Sequence, residues 1–132
     1  MLKLMYITNS PEVASIADGA GVDRIFIDLE QYGKEKRQKN WDSVKSKHSI
    51  SDIPKVKSAV KNAQIFVRTD PIFDGFSDEL EGVLACEPDV VMLPYFKTVR
   101  EVETFIKAVD GRATTSLLLE TREAAEQIDD II

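Results

Sequence analysis

Four charged residues at the ends of apolar runs hold the chemistry this chain could do. Asp28 and Glu30 close the run Asp23-Arg-Ile-Phe-Ile-Asp-Leu-Glu, Arg68 closes Gln64-Ile-Phe-Val-Arg-Thr, and Glu120 closes Thr114-Thr-Ser-Leu-Leu-Leu-Glu. A charge at the end of a buried strand must be solvated or paired, because an unpaired interior charge costs several kcal/mol or neutralises. Acids sharing a rim with one guanidinium suit a divalent cation together with an anionic substrate. Carboxylate oxygens bind Mg2+ or Mn2+, and arginine grips a carboxylate or enolate through its planar fork. A structural ion pair, such as Arg68 with Glu30, fits the same spacing. A lone acid such as Glu120 equally suits a cap or salt bridge to the helix after it.

Whether these residues meet depends on the elements that carry them. Strand candidates are Leu2–Ile7, Asp23–Glu30, Gln64–Thr69, Pro88–Pro94 and Thr115–Leu119, the last read as buried on both faces. Between them lie helical patterns. Ser10 suits an N-cap with Pro11 in the first turn of a helix to Ala20. Ile53, Val56 and Val60 mark a helix over Ile53–Lys61 begun by Ser51 or Asp52, and Leu80, Val83 and Leu84 mark one over Ser77–Cys86. Thr98 caps a helix to Val109, with Val99, Val102, Phe105, Ile106 and Val109 inward, and Asp110-Gly111 ends it. Arg122–Ile132 reads as the fifth helix. Strict strand–helix alternation with no hairpin signal means parallel strands and right-handed crossovers. This α/β pattern fits either an open doubly wound sheet or five units of an eight-unit barrel. No glycine-rich phosphate loop follows any strand, which weakens the nucleotide-binding forms of the open sheet.

In either closure the strand ends converge on one rim. Pro94 joins them after the fourth strand. Gln31–Ser49 is the longest polar stretch, and loops of that length are often functional. It contains Trp41, His48 and the basic run Lys34–Lys47 with six Lys or Arg, which reads as a solvated loop. The 132 residues and net charge of −6 describe a one-domain length with an acidic balance. That balance argues against nucleic acid and anionic lipid as partners. There is no apolar run long enough for a membrane span, and the first residues are too short and too quickly polar for a signal peptide. Cys86 is the only cysteine, so no intrachain disulfide forms, and it reads as a packed side chain rather than a nucleophile. Cytoplasmic location is the default expectation.

Four ordered motifs are similar to a known family. Ile27-Asp-Leu-Glu, Val67-Arg-Thr, Val91-Met-Leu-Pro-Tyr-Phe-Lys-Thr and Leu118-Leu-Glu-Thr-Arg-Glu-Ala, across nearly the whole chain, resemble the HpcH/HpaI aldolase and citrate lyase β-subunit family. The resemblance implies a phosphoenolpyruvate/pyruvate-type (β/α)8 barrel of about 250 residues. Such a barrel makes or breaks a carbon–carbon bond next to a 2-oxo acid or acyl-CoA. By that likeness Arg68 holds the pyruvate carboxylate or enolate oxygen and is the catalytic residue. Glu120 is the first carboxylate ligand of Mg2+ or Mn2+. Gln31 and Pro94 line the substrate with Arg68, and Asp28 and Glu30 support them.

Two departures shape the expectation. The family's second metal ligand, an aspartate after the sixth strand, would fall beyond Ile132, and the last three βα units are missing from residues 1–132. The residue directly after the Asp-x-Glu motif is histidine or aspartate in the family and Gln31 here. An amide does not titrate, so Gln31 cannot be a general base. His48 is the remaining candidate, with a solvent-exposed loop histidine as the alternative. Five strands of an open barrel also leave two unpaired edges that invite pairing with another chain, so a homo-oligomer is expected. The reading is a metal-dependent carbon–carbon lyase of which this chain is the amino-terminal part. The alternative is a non-catalytic half-barrel serving as an assembly or binding module.

Overall fold

A computed structural model describes residues 1–31 and 48–132; Trp41 and the Lys34–Lys47 run lie outside the described residues. The elements in chain order are β1 (Met5–Ile7), α1 (Pro11–Gly19), β2 (Arg24–Asp28), α2 (Asp52–Ala59), β3 (Gln64–Arg68), α3 (Phe76–Ala85), β4 (Val90–Leu93), α4 (Val99–Val109), β5 (Thr114–Leu117), α5 (Arg122–Glu126) and α6 (Ile128–Ile131). The five strands form one sheet in the order β1-β2-β3-β4-β5, every pair parallel.

That order decides between the two closures left open by the sequence. A doubly wound sheet reverses direction at a switch point, so its first strand sits inside the sheet. Here every strand pairs with its sequence neighbour. Right-handed crossovers that always step the same way put every helix on one face, as in the winding of a (β/α)8 barrel. The side-chain alternation agrees. Ile25, Ile27, Ile65, Val67, Val91 and Leu93 face the helices and pack with Ala14, Ile53, Val56, Leu80, Val83, Val102 and Phe105 in the main core. Phe26, Phe66, Val90 and Met92 form a separate cluster on the opposite, inner face.

The helices begin where side-chain chemistry lets them. The Ser10 hydroxyl accepts from the Val13 N–H, with Pro11 in the first turn. Thr98 and Glu101 form a full capping box, each side chain accepting from the other's backbone N–H. Asp110 closes α4 in the left-handed region at φ 50°. Asp18, at the end of α1, is buried and accepts from three backbone N–H groups, those of Lys61, Asn62 and Ala63. These bonds, the Lys61 one foremost, hold its carboxyl below the usual range and tie α1 to the approach of β3.

Three elements differ from their sequence readings. β1 covers only Met5–Ile7, an edge strand whose ladder on β2 pairs Met5, Tyr6 and Ile7. β5 stops at Leu117, and Leu119 is exposed rather than buried. Leu117 packs partly on the helix-side core and Leu118 on the inner cluster, so the run is half-buried at the sheet edge rather than enclosed. The last helix is broken at Gln127, whose side-chain amide donates to the carbonyls of Lys97 and Glu123. Ile106, expected inward, lies on the outer side of α4.

Candidate functional site

Register brings the key pair together. Asp28 and Arg68 are the last residues of β2 and β3 and are direct partners across the parallel ladder. Parallel partners share a face, so both side chains leave the inner face at the carboxyl rim. Arg68 Nη2 donates to Asp28 Oδ2 at 2.6 Å and Nε donates to Oδ1 at 2.9 Å. This is a two-point fork on a carboxylate. Glu30 Oε2 lies 3.4 Å from the same Nε, and the Glu30 N–H donates to Asp28 Oδ1. Glu30 is 4% exposed, so this guanidinium is a charge partner inside the protein rather than at its surface.

Aromatic rings fix the arginine from below. Phe26 and Phe66, partners one step down the ladder, stack with centroids 5.0 Å apart. Arg68 Cζ sits 5.5 Å from the Phe26 centroid and Arg24 Cζ 5.6 Å from that of Phe66. A guanidinium lies at each end of the stack, in cation–π contact. The Arg68 pKa is raised, first by the hydrogen bonds to Asp28, against burial, and then by the charges of Asp28, Glu30 and Glu120. The charge of Glu120 therefore reaches Arg68, and the strands between them are parallel.

Glu120 is held from the neighbouring unit. Its Oε1 accepts the Tyr95 N–H at 2.9 Å. Tyr95 has φ 50°, a left-handed conformation directly after the buried Pro94, and this turns its N–H toward the fifth unit. The next residue, Thr121, caps α5 and donates its hydroxyl to the Phe96 carbonyl at 2.7 Å. Pro94 thus stands directly after the end of β4. The capping role left open for Glu120 belongs to Thr121.

Gln31 and His48 are drawn into the same rim. The Gln31 N–H donates to Asp70 Oδ1 at 2.6 Å, and its side-chain amide donates to the His48 carbonyl at 3.3 Å. His48 is 3% exposed, so the solvent-exposed reading is corrected. Its Nδ1 accepts the Asp28 N–H at 3.0 Å. The reading of the sequence missed Asp70 and Glu79. Glu79, on the first turn of α3, accepts the Asp70 N–H at 2.9 Å. Burial, followed by the nearby Asp70 carboxyl, pushes the Glu79 pKa to about 7. The turn-forming Thr69-Asp70-Pro71 sequence was the available signal.

With this geometry fixed, likeness to known proteins can be read. Residues 3–132 match the HpcH/HpaI aldolase/citrate lyase family. The chain belongs to this family. Its fold is similar to that of an HpcH/HpaI aldolase from Desulfitobacterium hafniense DCB-2, at TM-score 0.67 and 12% identity, covering 98% of this chain and 57% of that one. It is also similar to the citrate synthase SbnG, at TM-score 0.70 and 15% identity, covering 98% and 56%. An HpcH/HpaI aldolase/citrate lyase family protein from Burkholderia cenocepacia J2315 matches at TM-score 0.60 and 15% identity, over 93% and 45%. This chain therefore spans roughly half the length of these solved relatives, and at these identities the likeness is one of fold. No curated protein matches the chain.

The sequence reading expects Glu120 to be one carboxylate ligand of a divalent ion. Among the described residues, no group of three or more His, Cys, Asp or Glu is placed to hold a metal. Glu120 offers a single carboxylate, with one oxygen already accepting the Tyr95 N–H. These residues alone do not build the metal site. Among the described residues no helix is long and apolar enough to cross a membrane.

Proposed function

We propose that this chain supplies five βα units, Arg68 included, of a carbon–carbon lyase that cleaves or forms a bond next to a 2-oxo acid such as pyruvate, or next to an acyl-CoA enolate. The observation that carries the proposal is the way Arg68 is held. Asp28 takes the Nε/Nη2 edge of the guanidinium. A guanidinium has five N–H donors, so the Nη1/Nη2 edge retains a second fork suited to a carboxylate or enolate. The Phe26 ring and Asp28 fix the plane of that fork before any ligand arrives, which is the preorganisation that stabilises developing negative charge. Gln31 and Pro94 are the residues proposed to line the substrate with it.

Charge bears on the ligand as well. Among the described residues at this rim, the carboxylates of Asp28, Glu30 and Glu120 act on the one guanidinium of Arg68. A divalent cation beside them would suit an anionic ligand. Mg2+ or Mn2+ is the proposed ion and Glu120 its one donor from this chain. The other donors would come from outside the described residues, either from further chain or from a second copy. The family membership and the fold support this reading.

The same two gaps favour a second reading, a non-catalytic assembly or binding module: the described residues form no metal cluster, and the family's base position is Gln31. Calorimetry with oxalate in the presence of Mn2+ separates the two. The lyase reading expects metal-dependent oxalate binding that Arg68→Ala reduces by at least about 100-fold, consistent with losing a buried charge-assisted fork. It also expects pyruvate release from a 4-hydroxy-2-oxo acid that is lost in Arg68→Ala. Failure of the protein to bind oxalate with either ion refutes it.

A further inference from the structure

We propose that His48 is the positioning residue of the Arg68 clamp, acting as a fixed hydrogen-bond acceptor through Nδ1. The Asp28 N–H points away from β3, on the side where β1 would continue. At Leu29 the chain turns its N–H to the Arg68 carbonyl on β3, and two residues before Asp28, on the other side, the Thr8 N–H reaches the Phe26 carbonyl. β1 ends at Ile7, opposite Phe26, so its ladder stops one step short of Asp28. His48 Nδ1 takes the place of the missing strand carbonyl, at 3.0 Å from the Asp28 nitrogen.

An acceptor at Nδ1 fixes the state of the ring. That nitrogen has no proton while it receives the Asp28 N–H, so the neutral ring holds its proton on Nε2. An imidazolium would set two N–H donors against each other. The ring is 3% exposed, and its backbone carbonyl is held in turn by the Gln31 side chain. His48 is thus anchored to the two sides of the Asp28–Gln31 turn. The residue it holds is the one whose carboxylate fixes Arg68 by two hydrogen bonds. Loss of the acceptor lets the end of β2 shift, and a shift of about 1 Å at a reacting group costs on the order of 100-fold. With Nδ1 engaged in this way, the histidine sets geometry through that nitrogen instead of taking a proton from substrate there.

The functional consequence rests on the Arg68 reading above, so the test has readouts that need no ligand. In the wild-type protein, 15N NMR is expected to show His48 unprotonated at Nδ1 and protonated at Nε2, with a coupling across the hydrogen bond from the Asp28 amide. A proton on Nδ1 overturns the proposal, and this measurement needs no variant to fold. In variants, His48→Asn retains an acceptor at the Nδ1 position and His48→Leu removes it. His48→Asn should keep slow exchange of the Asp28 amide and oxalate affinity within about 3-fold of wild type. His48→Leu should speed that exchange and weaken oxalate by about 30- to 100-fold. Equal Asp28 exchange in wild type and His48→Leu, or no rescue by Asn, overturns it. Absence of oxalate binding by the wild type refutes the Arg68 reading alone, because the NMR and exchange results still decide the role of His48.

Discussion

The pairing of Asp28 with Arg68 makes a sharp energetic prediction. Their side chains are 12% and 20% exposed, and the fork is made at 2.6 and 2.9 Å. Removing one partner of a fully buried pair costs about 3–5 kcal/mol, because the other charge is left uncompensated. For Asp28→Ala that figure must be reduced. Glu30 Oε2, 3.4 Å from Arg68 Nε, still opposes the guanidinium. The expected loss is about 2–3 kcal/mol. Arg68→Ala is the harsher change, since it removes the guanidinium that both Asp28 and the buried Glu30 face, and about 3–5 kcal/mol is expected. The double variant should cost about 2 kcal/mol less than the sum of the two, since each single change already strands its partner. Urea unfolding of the four proteins at one pH measures the cycle. A coupling below about 0.5 kcal/mol would refute the claim that this fork organises the rim.

Other outcomes follow from the same geometry. Glu79 has its pKa raised from 4.5 to about 7, so its contribution to stability is complete below 4.5 and is lost as pH rises through 7. That gap corresponds to about 3 kcal/mol before screening, and to about 1–2 kcal/mol for a partly solvated carboxyl. Glu79→Gln, which mimics the protonated form, should flatten the stability profile between about pH 5 and 8, and an unchanged slope in urea melts would show that Glu79 does not titrate there. Thr98→Ala removes the capping box of α4 and should cost about 1 kcal/mol in thermal unfolding, whereas Thr98→Ser should cost a few tenths. Leu93→Ala, at a fully buried position facing the helices, should cost about 2–5 kcal/mol by chemical denaturation.

Much of the fold was legible because local chemistry and global placement agreed. Ser10, Thr98 and the Asp110-Gly111 stop read correctly as helix boundaries, since caps act over three or four residues. The alternation in Ile25–Asp28 and Ile65–Arg68 placed Asp28 and Arg68 at strand ends for the same reason. What the sequence left undecided was set by contacts distant in the chain. The sequence offers both Asp28 and Glu30 as supports for Arg68, and register decides which lies closer, Asp28 at 2.6 Å against Glu30 at 3.4 Å. The winding direction depends on which strand lies beside which, and strand order has no local signature. The burial of His48 comes from a contact with Asp28 twenty residues away, and the raised pKa of Glu79 from its burial first and then from a carboxyl nine positions away across a turn. The overextended fifth strand shows the converse: three leucines in a row suggest burial, but only Leu117 and Leu118 reach the two cores, and partly, while Leu119 lies past the strand end and is exposed.

Pairing of each strand only with its predecessor also bears on synthesis. When a strand leaves the ribosome, the edge it must join has already been made, so the sheet can lengthen one unit at a time from the amino end. A doubly wound sheet has no such order, because later strands must add to both flanks of an early central one. In this chain the growing edge is always the newest strand, and an arrest during translation would leave a shorter sheet of the same kind rather than a misordered one.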